Sequence, residues 1–202
     1  MNRPTTTHAP VSAASASRAP RRLAAALAFV GASLGGAALA HPPGPASESP
    51  AVGFSLGAGA LDCDGSACVG GGALGGELHI GPKLRSDLIL LGDGWLVSRD
   101  ADRESLTQVF LTANIQWWPV ERLWLRFGGG AAHADLERPA GVVGGPDNKS
   151  TWEPALVAGL GVELVSDPEF ALDLQLLYGR GFDDDPELRL QTITVALGFN
   201  WY

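Results

Sequence analysis

The sequence predicts an all-β fold in which eight antiparallel strands run up and down and close into a barrel. Three observations carry that expectation. Apolar residues recur at every second position through eight segments of roughly ten to fifteen residues, and a period of two belongs to β-strands, whose side chains alternate between faces. The connections between segments alternate short and long, which distinguishes one end of the barrel from the other. The last stretch is the clearest, with Ile193, Val195, Leu197, Phe199 and Trp201 on one face and Thr192, Thr194, Ala196, Gly198 and Asn200 on the other.

Residues 1–40 differ from the rest. They hold Arg3, Arg18, Arg21 and Arg22 and no acid, followed by a nearly unbroken apolar run over 23–39 that ends in Ala38-Leu39-Ala40. That order reads as a secretory signal peptide cleaved before His41. A transmembrane helix is the weaker reading, because the run is rich in Ala and Gly and shorter than the ~20 residues a span needs. Residues 41–50, HPPGPASESP, have nothing apolar to bury and are expected to be a disordered tether. The barrel is expected over 51–202. Without the four leader arginines, ten basic residues remain against 22 acidic ones, a net charge of −12, so nucleic acid is excluded as a partner by sign.

The expected strands cover 52–62, 73–84, 87–98, 106–118, 122–135, 154–165, 169–181 and 187–202. In the third, Leu88-Ile89-Leu90-Leu91 is apolar on both faces, and the assignment puts Leu88, Leu90 and Leu96 outward with Asp93 and Trp95 inward. The fourth is unambiguous: Val109, Leu111, Ala113, Ile115 and Trp117 oppose Gln108, Thr112, Asn114 and Gln116. Tight turns are expected at 85–86, 119–121 and 166–168.

Chemistry decides which face is outward. A soluble barrel would pack its hydrocarbon inside and show Lys and Glu to water. Here the polar face is mostly Gly, Ala, Thr, Asn and Gln, while the other carries no charge through the middle of any strand. That is the demand of a hydrocarbon exterior, so the barrel is expected to be transmembrane. Short turns at one end and longer Gly/Asp/Pro-rich loops at the other put both termini on the periplasmic side. Trp117, Phe127, Phe170, Phe199 and Trp201 gather toward the turn end, with Tyr178 and Phe182 near the loop end, as two interfacial girdles.

Residues 51–202 therefore resemble the small eight-stranded bacterial outer-membrane β-barrel family, porin-like and OmpA/OmpX-type in architecture. The resemblance implies a Gram-negative cell outer membrane location, outer-membrane lipid and lipopolysaccharide as surroundings, and insertion machinery that reads the aromatic-ended final strand. It also implies a monomer without cofactor or metal. The expected role is structural or surface-interacting. A small-solute pore is the alternative, and a lipid-modifying enzyme at the rim stands third.

No catalytic residue is assigned and no enzyme is expected. Fragments such as Gly57-Ala58-Gly59 and Asp62-Cys63-Asp64-Gly65 lack the remaining positions of a dinucleotide or calcium loop. His133 and Asp135 share a face at the loop end of the fifth expected strand, with Ser98 at the loop end of the third, but no serine adjoins His133 on its own strand. Solvated charge is the plain reading of the acidic loops (Asp100, Asp102 and Glu104; Asp183, Asp184, Asp185 and Glu187), and divalent-cation bridging to lipid the functional one. Cys63 and Cys68, the only cysteines, are expected to form a disulfide after export into an oxidising compartment. Inside the barrel, counting from the turns pairs Arg126 with Glu163 and Asp173, flanked by Asn114 and Gln116, and groups Glu77, His79 and Lys83 separately. The lumen is thus expected to be filled by polar side chains.

Overall fold

The computed structural model describes residues 50–63, 70–101, 104–137, 149–167, 169–184 and 189–202. These form β1 (Ala51–Cys63), β2 (Gly71–Gly81), β3 (Lys83–Arg85), β4 (Leu88–Ala101), β5 (Glu104–Val120), β6 (Leu123–Glu137), β7 (Lys149–Ser166), β8 (Phe170–Gly181) and β9 (Leu190–Trp201). Both β2 and β3 pair with β4, so they are one barrel strand interrupted at Pro82, which has no N–H to give. The eight resulting staves are antiparallel, and β1 pairs with both β2 and β9. That last pairing closes the sheet, leaving no edge among the described strands. The expected signal segment and the tether up to residue 49 lie outside the described residues.

Several strands outrun their expected bounds, two of them through a proline. β7 begins at Lys149 rather than 154, and Pro154 sits inside it opposite Ala131. β5 extends to Val120 through Pro119, where the register shifts between Trp117 and Val120. Proline signals a strand limit because it removes a ladder donor; at Pro119 an irregularity in the register accommodates that loss, whereas the β6–β7 register runs unbroken through Pro154. The turn itself is Glu121-Arg122, with Arg122 at φ 63°.

The distribution of side chains is inverted relative to a soluble protein. Leu56 is 64% exposed, Leu78 69% and Ile115 49%, whereas Arg126 and Asp173 are each 1% exposed. Phe54, Phe199, Trp201 and Phe170 form a contiguous aromatic group at the turn end of the outer wall. Ile89 and Leu91, the apolar residues on the second face of β4, are 3% and 2% exposed and point into the lumen.

That placement corrects the expectation of a uniformly polar interior. Toward the loop end the lumen is mainly apolar, with Leu61, Trp95, Val97, Leu106, Phe110, Leu136, Val157, Leu177 and Leu190 in one buried cluster. Trp95 and Phe110 stack with ring centroids 4.9 Å apart. A second group, Ala51, Ile89 and Leu91 with Trp118 and Tyr202, closes the turn end. The Arg126 network lies between the two, while Gln108, Glu153 and Thr192 are buried polar residues in the loop-end half. Alternation identifies which residues face inward but does not require those residues to be polar, because a closed interior excludes lipid and accepts hydrocarbon equally well.

Candidate functional site: the lumen network and the outward rim

Arg126 of β6 is the centre of the lumen network. Its register partner on β5 is Gln116, whose Oε1 accepts from Arg126 Nε at 3.0 Å and Nη2 at 2.7 Å. Nη1 donates to Glu77 Oε1 and lies 3.4 Å from Asp93 Oδ2. Glu77 in turn accepts from Ser55 Oγ at 3.1 Å and contacts His79 Nδ1 at 3.2 Å, while His79 Nε2 lies 2.8 Å from Asn200 Oδ1. Asn114 Nδ2 donates to Asp93 and to Thr112 Oγ1. One guanidinium thus contacts two carboxylates, contributed by β2 and β4, and buried charge of this kind needs such pairing.

The expected grouping of Arg126 with Glu163 and Asp173 is therefore corrected. Glu163 and Asp173 are direct register neighbours, but Arg126 lies opposite Gly159 on that side and reaches across the lumen instead. Asp173 Oδ2 accepts from Trp124 Nε1 and Asn200 Nδ2, each at 2.9 Å. Glu163 is held lower, by Trp118 Nε1 at 2.8 Å and Ser166 Oγ at 2.6 Å. The two expected groups merge, because Glu77 and His79 join Arg126. Lys83 leaves them: its Nζ lies 4.9 Å above the Tyr202 ring at the turn-end mouth. Counting residues from the turns treats strand ends as level. In a barrel, strand tilt and shear displace them, so partners across the lumen are set by closure.

Glu77, His79 and Asp93 offer three ligand-type atoms within 4.8 Å of one another. The Arg126 guanidinium already contacts two of these three groups and supplies one positive charge against their two carboxylates.

At the rim, His133 is on the outward face of β6, its ring tilted 32° against Trp152 with centroids 4.9 Å apart. Its Nδ1 is 3.0 Å from the carbonyl oxygen of Thr151, and its Nε2 is 3.2 Å from Ser150 Oγ. Ser98, the serine weighed from the sequence, bonds Thr107 at 3.1 Å instead. Sequence reasoning missed Ser150 because it comes from the neighbouring strand, before the expected start of that strand. Asp135 lies opposite Ser150 in register. Of the acidic loop residues, 102, 185 and 187 lie outside the described residues, as do Cys68 and the side chain of Cys63.

No family model matches the sequence, and no curated protein does. Solved structures do resemble it in fold. The attachment invasion locus protein Ail of Yersinia pestis matches with a TM-score of 0.55 at 20% identity, covering 77% of this chain and 99% of that one. Ail in complex with the heparin analogue sucrose octasulfate matches with a TM-score of 0.54 at 17% identity, over 77% of this chain and 99% of that one. Neisserial surface protein A matches with a TM-score of 0.53 at 12% identity, over 75% of this chain and 95% of that one. The chain has the fold of the small eight-stranded outer-membrane β-barrels.

Proposed function

We propose that the protein is a monomeric barrel of the outer membrane, inserted from the periplasm, with a structural or surface-interaction role. The observation that carries this reading is the pairing of a hydrocarbon exterior with a filled interior. Leu56, Leu78, Leu111, Ile115 and Phe127 form an outer belt suited to lipid, while stacked Trp95 and Phe110 and the Arg126 network occupy the lumen. Outer-leaflet lipid and lipopolysaccharide are the immediate partners in this reading, and the leader and final strand serve export and insertion. Ail has been solved with a sulfated ligand. The described rim of this chain carries Asp100, Asp183 and Asp184, which favours cationic or cation-bridged partners over sulfated ones. Cys63 and Cys68 form a loop disulfide in the mature protein; two reactive thiols in unreduced, denatured protein would remove that element.

Reconstitution into vesicles tests the reading. The protein is expected to co-sediment with lipid, to shift in electrophoresis on boiling, and to pass no small solutes. Large, long-lived conductance from pure protein would replace this role with that of a pore.

A further inference from the structure

We propose that Ser150 and His133 form a nucleophile and general-base pair on the outward rim, beside a groove that holds one acyl chain of an outer-leaflet lipid, and that the pair cleaves a carboxylic ester of that lipid. The proposal rests on the barrel being inserted as above.

The first observation is the state of the histidine. A carbonyl oxygen only accepts, so the 3.0 Å contact with Thr151 O places the proton on His133 Nδ1. Nε2 then presents its lone pair to the Ser150 hydroxyl, 3.2 Å away. That is the tautomer a general base needs, with the ring oriented by a third group and its plane supported by Trp152. Asp135, across from Ser150 in register, places a carboxylate on the same face.

The second observation is where the pair sits. Trp152 is 58% exposed and faces outward near the loop end of β7, the setting in which an amphipathic indole marks the membrane interface. The ester linkages of a membrane lipid lie at that depth, between headgroup and chains.

The third is a groove of about 330 Å³, lined on the outer wall by Phe54, Leu56, Gly76, Leu78, Gly94 and Leu96 and reaching Val109, with the inward-facing residues Ser55, Glu77 and Trp95 also bordering it. One continuous row of register partners joins it to the pair: Leu56, Gly76, Leu96, Val109, His133 and Trp152. Trp152 is near the loop end of its strand and Leu56 in the turn-end half of its own, so the row descends from the rim into the hydrocarbon belt. Glycine at 76 and 94 provides the floor. A lipid with its ester at Ser150 would lay one chain down this groove.

In the reaction, Ser150 Oγ attacks the ester carbonyl carbon as its proton passes to His133 Nε2. The carbon–oxygen bond to the alcohol breaks, and the leaving alkoxide takes the proton back from the imidazolium. Water, deprotonated by the same Nε2, then releases the fatty acid and restores the serine. No electrons are exchanged.

The test uses the full mature chain in vesicles of ester-linked phosphatidylethanolamine and phosphatidylglycerol. Insertion is read by co-sedimentation and the boiling-dependent shift, and the site by fluorophosphonate labelling and fatty-acid release. Wild type should be labelled at Ser150; Ser150→Ala should lose label and activity, and His133→Gln should lower both about 100-fold or more. Gly94→Leu should reduce turnover of long-chain relative to acetyl esters at least tenfold, because its added atoms enter the groove. An unchanged ratio would remove the groove. Inserted wild type that takes no more label than Ser150→Ala and releases no fatty acid overturns the proposal alone. Protein that never inserts overturns the barrel reading and this proposal together.

Discussion

The middle of the lumen and its loop-end half are built on the same eight strands, with the same inward alternation, yet they are filled by opposite chemistry. Around Arg126, the side chains of Glu77, Asp93, Gln116, Asn114 and His79 hold one another through directional bonds. Toward the loops, Trp95, Phe110, Val157, Leu177 and Leu136 hold one another through shape. A packed apolar region depends on volume and tolerates exchange among residues of similar size. A buried ionic network depends on every member, because each removal strands the others away from water.

The largest expected effect tests this contrast directly. Arg126→Ala leaves Glu77 and Asp93 without their common counter-charge, and should cost about 3–5 kcal/mol in denaturant unfolding from lipid. Combining Arg126→Met with Glu77→Gln and Asp93→Asn should recover most of that loss, since no uncompensated charge then remains. If the triple variant is no better than Arg126→Ala, the network is not limited by charge.

In the apolar half, Phe110→Ala should cost about 3 kcal/mol by opening a cavity beside Trp95, while Phe110→Leu should cost less than about 1.5 kcal/mol. Equal losses from the two would mean that the aromatic stack, and not volume, holds this half. The smallest effect is expected at the edge of the polar network. Ser55→Ala removes one bond to Glu77, which keeps Arg126, and should cost about 1 kcal/mol in the same assay.

These contrasts were only partly legible beforehand. Strand number, alternation and outward face could be read because each is a local property of consecutive residues. Even Ile89 and Leu91 carried a signal, as apolar residues on both faces of one strand, but the rule that the inward face should be polar obscured their role as a plug. Tyr202 was legible only as an aromatic out of phase with the outer row. In the folded chain it turns to the turn-end mouth, edge-on to Trp118 and under Lys83. Pro154 hid the first turn of residues in β7, and with it Ser150.

By itself the sequence determined the all-β class, the eight staves and the hydrocarbon exterior, because a period of two and the absence of mid-strand charge need no knowledge of long-range contacts. It also singled out Arg126, Glu77, His79 and Asp173 as inward residues. Only the tertiary structure decided that Arg126 bonds Glu77 rather than Glu163, that its network lies between two apolar groups, and that Ser150 meets His133. Each of those contacts joins residues on different strands, and their meeting depends on the tilt and stagger at which the sheet closes, a property of all eight strands together that no single segment encodes.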